Sequence, residues 1–153
     1  MRKPPTCAPG GWSIAQCFSH LNATAGRFAG PIEQAIGEAR SRGWTSAGPF
    51  AYPLLERAFA RSMEPPPRVR LRARAGFQPA PSGRVTEVMD EFYRWQERLR
   101  ELLRAADGID LRRTRLASPV LPIFRYSLGI CFVATLAHER RHVWQAREVR
   151  THP

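Results

Sequence analysis

Near its C-terminal end the chain carries the string His138-Glu139-Arg140-Arg141-His142. Two histidines four residues apart stand one turn apart on a helix, so their imidazoles can converge on one cation. The string matches the H-E-x-x-H pattern, in which one helix supplies two zinc-ligating histidines and a glutamate base. Proteases built on that pattern take a third ligand well downstream, and neither of their spacings fits the 11 residues that follow His142. A third histidine must come from upstream, where His20 is the single candidate; His152 falls in the fraying end of the chain.

Helical spacing puts more on the same line. At about 100° per residue, Ser127, Cys131, Thr135, His138, His142 and Gln145 fall within about 40° of one another. The first half of this segment is otherwise apolar nearly all round (Leu128, Ile130, Phe132, Val133, Leu136), which predicts a buried helix. A polar stripe on a buried helix needs partners, because unpaired buried polar groups are costly. Glu139 lies about 80° off the stripe. That position favours a salt bridge to Arg140, Arg141 or another helix; as a general base it would need a substrate or water within reach. Glu139 is the catalytic candidate, and Gln145 and Gln16 are the candidates for substrate contact. Cys17 and Cys131 lie on or near the histidine faces, where a buried, inert thiol is the commoner outcome.

The elements that must position these groups follow from capping and periodicity. Met1 to Gly11 is a Pro/Gly-rich lead-in. Ser13 and Gln16 form a capping box that opens a helix. Ile14, Phe18, Leu21, Ala25, Phe28 and Ile32 continue it as one stripe, with a kink at Gly30-Pro31 and an end near Arg42. His20 shares a face with Gln16, Thr24 and Arg27, roughly 120° from the middle of that stripe. Spacing alone leaves it free to face solvent. A short helix is expected between Gly48 and Met63, with Leu54, Leu55, Ala58 and Phe59 inward, stopped by Pro65-Pro66-Pro67. Arg68 to Gly83 has strand-like alternation without a partner strand and reads as an extended crossing loop. Arg84 to Ala106 is a third helix, with Val85, Val88, Phe92, Trp95, Leu99, Leu102 and Ala106 stepping by three and four. A linker containing Pro119 and Pro122 leads to the last helix, about Ile123 to Val149. The expected fold is all-α, a bundle of three long helices and a short one.

Composition bounds the function classes. The 153 residues suit one domain. With 43% apolar and 24% charged residues, the chain is globular and not disordered. The net charge of +11 is almost all arginine, since Lys3 is the single lysine. A GC-rich coding sequence produces the same bias, so the charge alone is weak support for nucleic-acid binding. The Arg68 to Arg74 run has Phe77 as its one neighbouring aromatic, a poor stacking platform. The longest strongly apolar stretch, Tyr126 to Ala137, is 12 residues, short of the ~20 a spanning helix needs. No charged-then-apolar leader opens the chain. Cys7, Cys17 and Cys131 make a poor disulfide framework and suit a reducing cytoplasm.

Two strings together resemble a known family. Trp12-Ser13-Ile14-Ala15-Gln16, followed by His20-Leu21-Asn22, is similar to the opening motif of the DinB-like superfamily. His138-Glu139-Arg140-Arg141-His142-Val143-Trp144-Gln145 is similar to its C-terminal motif. The resemblance covers about Trp12 to Arg150, so residues 12–150 are read as the bundle domain after the 1–11 lead-in. It implies a four-helix bundle that holds a divalent metal, often Ni2+ or Zn2+, on His20, His138 and His142. It further implies open coordination positions and a metal-dependent enzyme, a thiol-dependent transferase or a hydrolase. The substrate would be a small molecule, with a low-molecular-weight thiol such as bacillithiol or mycothiol activated for transfer to an electrophile. Members usually carry a helix before the Trp-Ser motif. Here the lead-in prolines disfavour one, which predicts an open apolar side and a homodimer. Neither nucleic acid nor a membrane is expected as a partner. The alternatives from other classes are a basic helical nucleic-acid-binding module and a non-catalytic bundle protein.

Overall fold

The computed structural model describes residues 11–67, 73–80 and 84–151. The lead-in up to Gly10, the Arg68 to Arg72 part of the expected crossing loop and His152 lie outside the described residues. Among the described residues there are four helices and one small hairpin. They are α1 (Ile14–Ser41), α2 (Leu54–Ser62), α3 (Val85–Ala105), β1 (Arg115–Ala117), β2 (Arg125–Ser127) and α4 (Leu128–Thr151). Helix α1 is the hub: it packs on α3 along one side and on α4 along another, and α2 packs on α4.

The start of α1 is where local chemistry puts it. The Gln16 N–H donates to Ser13 Oγ at 3.2 Å, and the Ser13 N–H donates to Gln16 Oε1 at 2.9 Å. Two amides left over at the helix N-terminus are thereby satisfied. The helix runs through Pro31 as a single element and ends at Ser41, beside the expected end near Arg42. It ends as Gly43 takes a φ of +64° and the Trp44 N–H returns to the Ala39 carbonyl at 2.9 Å. Its buried side is small: Ala25, Ala29, Ala35 and Ala39 alternate with Ile32 and Ile36. Short side chains let the neighbouring helices approach closely. The core then fills with Leu102 and Ala106 from the end of α3, Leu116 and Tyr126 from the hairpin, and Leu128, Ile130 and Phe132 from α4.

The all-α expectation of three long helices and a short one holds, with corrections. The last helix begins at Leu128 and not near Ile123. Residues 125–127 form β2, which pairs antiparallel with β1 in the register Arg115↔Ser127, Leu116↔Tyr126, Ala117↔Arg125. An apolar run starting at Tyr126 fits either structure; a partner strand ten residues upstream decides for the strand. Helix α2 is shorter than expected and rotated. Leu54 and Leu55 face outward, 75% and 82% exposed, Ala58 is exposed, and Glu56 and Ala60 are buried. The inward place of Glu56 is fixed by a distant partner, Ser127. Helix α4 is not buried all round either: Val133 and Leu136 are exposed because α1 and α2 cover only part of its circumference. Val133, Ile130, Phe50 and Tyr52 line a shallow groove of about 400 Å³ beside α2, which none of the histidines lines. Val85, assigned to the α3 stripe, is also exposed.

Candidate metal centre

His20 stands early on α1, and His138 and His142 stand one turn apart around the middle of α4. The packing of α1 on α4 brings the three rings together. His20 Nε2 lies 3.2 Å from His138 Nε2, and His142 Nε2 lies 3.1 Å from the same atom. One ligand nitrogen from each ring lies within 4.8 Å of the others. Ligands about 2.0–2.1 Å from a zinc ion sit roughly 2.9–3.4 Å from one another, depending on the coordination angle. The two short separations fall in that range.

His20 and His142 are buried and His138 is half-buried. Spacing left the direction of His20 open; the structure turns it inward. Its Nδ1 donates to the Phe77 carbonyl, which leaves Nε2 unprotonated and facing the other two rings. Trp12 closes one side: its indole stacks on the His142 ring at 5.7 Å and leans over the His20 ring at 4.8 Å.

The electrostatics keep the rings neutral. Burial pushes His138 down to about 3, with the His20 and Arg141 charges adding to it. Burial pushes His142 down to about 2, reinforced by His138, His20 and Arg141. The Gln145 side chain acts on His142 in the opposite sense, favouring the charged ring. His20 is lowered by burial, against the opposing bond to Phe77. Neutral imidazole is the form that binds metal. The half-buried Arg141 is a further cation close enough to act on all three rings.

These directions predict a pH dependence for the metal-free protein. In the unfolded chain each ring titrates near 6.5, and in the folded chain lower. Below pH 6.5 the unfolded chain therefore takes up protons that the folded chain resists. Stability is full above that pH and is lost as pH falls toward the folded values. At pH 5 the cost approaches about 2 kcal/mol for each of His138 and His142, and His20 adds to it in the same direction. Thermal melts in chelator at pH 7.5 and 5 should show a clear drop in Tm, flattened when the three histidines are replaced by glutamine. An equal drop in the triple variant would count against buried neutral rings.

The other candidates fall in different places. Glu139 is half-buried, and its Oε1 accepts from Gln96 Nε2 on α3 at 2.8 Å. The expected salt bridge is thus replaced by an amide partner, and burial raises the Glu139 carboxyl. Gln16 uses its Oε1 in the α1 cap, and its amide nitrogen is what remains for a ligand. Gln145 follows His142 on α4. Cys17 and Cys131 are buried. The Cys131 thiol is pushed up to about 12 by burial, which makes it a packing group and not a nucleophile. Sequence reasoning missed the Phe77 carbonyl, Gln96 and Arg141. A backbone carbonyl leaves no side-chain signal, and Gln96 on α3 had no motif to mark it.

The model of the DinB superfamily matches residues 1–146. The chain belongs to the DinB superfamily. No curated protein and no solved structure matches it. The two strings that resemble the family's motifs are thus the two that the fold of this DinB-superfamily chain brings together, 118 residues apart at His20 and His138.

Proposed function

We propose that the chain is a divalent-metal-dependent enzyme of small-molecule chemistry, with Ni2+ or Zn2+ held by His20, His138 and His142. One observation carries the reading: three Nε2 atoms from two distant helices converge, two of the separations being 3.2 and 3.1 Å. The donor set suits the group, because borderline cations of this kind take neutral imidazole readily. When bound, such an ion lowers the pKa of a thiol or a water and so supplies a nucleophile at neutral pH.

The chain's own groups have separable tasks in this reading. Trp12 shields two of the rings from water. The Phe77 carbonyl holds the Nδ1 proton of His20. Glu139, raised by burial and steadied by Gln96, is the group suited to accept a proton. Gln145 and the Gln16 amide are suited to contact a small substrate, and a low-molecular-weight thiol is the favoured co-substrate. A reducing cytoplasm suits both a thiol co-substrate and the buried thiols of Cys17 and Cys131, which are not joined in a disulfide. Among the described residues no helix is long and apolar enough to cross a membrane.

Elemental analysis of gently purified protein tests the reading: about one divalent ion per chain is expected. Absence of metal after reloading with Ni2+ or Zn2+ would leave a non-catalytic bundle. A screen of bacillithiol, mycothiol and glutathione against electrophiles then tests the transferase branch. No turnover with any of them would move the assignment to a hydrolase.

A further inference from the structure

Residues 73–80 run across α1 at the histidine cluster as a strap, and three of their backbone groups bond to side chains of that helix. Arg74, Ala75, Gly76 and Phe77 form a tight turn. The Phe77 N–H donates to the Arg74 carbonyl at 3.0 Å, and Gly76 has a φ of +85°. Positive φ at the third position of such a turn favours glycine. A Cβ there would also stand 2.2 Å from the Arg27 guanidinium, so a larger residue must displace that side chain. That guanidinium fixes the turn from below. Its Nε donates to the Gly76 carbonyl at 2.7 Å, and its carbon lies 5.2 Å from the centroid of the Phe77 ring. Ser19 Oγ accepts the Ala80 N–H at 2.9 Å, and Arg74 reaches the Val120 carbonyl at 3.1 Å. Between these ties the buried Phe77 presents its carbonyl to His20 Nδ1.

Ser19, His20 and Arg27 are thus three α1 side chains bonded to one short strap, and the central bond is the one that reaches the histidine cluster. We propose that the strap positions His20 for metal, Arg27 and Gly76 setting the Phe77 carbonyl so that it fixes the ring's tautomer and angle. This rests on the three-histidine metal reading. A ligating histidine whose second nitrogen donates to a carbonyl is held in the tautomer that leaves its other nitrogen free for the ion. Arg27 and Gly76 touch no reacting atom; they are positioning residues.

The test uses the full chain with Co2+ as the probe, read by its visible absorption, and long-range proton–nitrogen spectra of the metal-free protein to read the His20 tautomer. Wild type is expected to bind Co2+ and to show His20 protonated on Nδ1. Arg27→Ala and Gly76→Ala are expected to weaken Co2+ binding about 10- to 100-fold. Both should give a mixed His20 tautomer and an altered Co2+ spectrum, with the helical circular dichroism unchanged. Arg27→Lys keeps a donor for the Gly76 carbonyl and should restore most of the affinity, which a loss of general packing would not explain. Should one alanine variant fail to fold, the other carries the comparison. Equal Co2+ affinity in wild type and variants overturns the proposal while leaving the metal reading intact. Failure of wild type itself to bind Co2+ overturns both.

Discussion

Changing His138, His142 or His20 singly to alanine is expected to reduce bound metal from about one ion per chain to a small fraction of that. A water can enter the place of a missing ring, but it is a weaker donor than imidazole to such a cation and brings no tether to the protein. Loss of an outer partner alone typically costs about 10- to 100-fold in affinity; loss of a ligand must cost more. An ion held by the three rings would also couple α1 to α4, which pack against each other here. Binding to the folded state alone stabilises it by about 2.7 kcal/mol when free ion is 100 times Kd. For a chain of this size that corresponds to roughly 5–10 °C in Tm. Wild type should therefore melt lower in chelator by about this amount, and each alanine variant should show the same Tm with and without metal. Stoichiometric metal retained by any of the three variants would remove that residue from the ligand set.

The parts of this fold that were legible in the sequence are those whose cause is local. Ser13 and Gln16 lie within one turn of each other, and their mutual hydrogen bonds open α1 where the capping box predicts. The unbroken three–four stepping from Val88 to Leu102 defines α3 to within a residue at either end. What was not legible depends on partners far away in sequence. Leu54 and Leu55 read as the inward face of α2 on hydrophobicity alone, yet Glu56 turns that helix by its bond to Ser127, 71 residues on. The strand ending at Ser127 was absorbed into the following helix because its apolar residues continue the pattern of α4.

The site divides the same way. The one-turn spacing of His138 and His142 is written in the sequence and survives unchanged. The direction of His20 is not, because its face on α1 is neither clearly apolar nor clearly solvent-directed. The strap decides it. The convergence of rings from α1 and α4 therefore rests on tertiary contacts, Phe77 on His20 and Trp12 over two of the rings, and on no periodicity in either helix.

Glu56→Leu is expected to give the largest loss of stability among single changes away from the histidines. The first amides of α4 and the residue before it have no partner within that helix, and each is satisfied from outside. The Gly129 N–H donates to the Leu111 carbonyl at 3.0 Å and the Leu128 N–H to the Thr114 carbonyl at 2.8 Å. The Ser127 N–H donates to Glu56 Oε2 at 3.3 Å, and Ser127 Oγ donates to the same oxygen at 2.6 Å. Glu56 Oε1 pairs with Arg115 at 2.8 Å. The carboxylate thus sits at the positive end of α4 and ties α2, β1 and β2 to it. Leucine fills similar space but leaves two Ser127 donors buried without an acceptor, each worth about 1–3 kcal/mol. Arg115 is 43% exposed and keeps its hydration, so the broken ion pair adds little. A loss of about 3–4 kcal/mol follows, roughly 10 °C in Tm. Glu56→Gln retains an acceptor oxygen and should lose about half as much; Arg115→Ala should lose less than about 1 kcal/mol. Because these contacts lie at the start of α4 and the histidines about three to four turns further on, Glu56→Gln should still take up metal as wild type does. Denaturant and thermal melts of the three variants decide it. If Glu56→Leu were as stable as wild type, the amides at the start of α4 would have to find other acceptors, and the link from α2 to the helix of His138 and His142 would be mere contact.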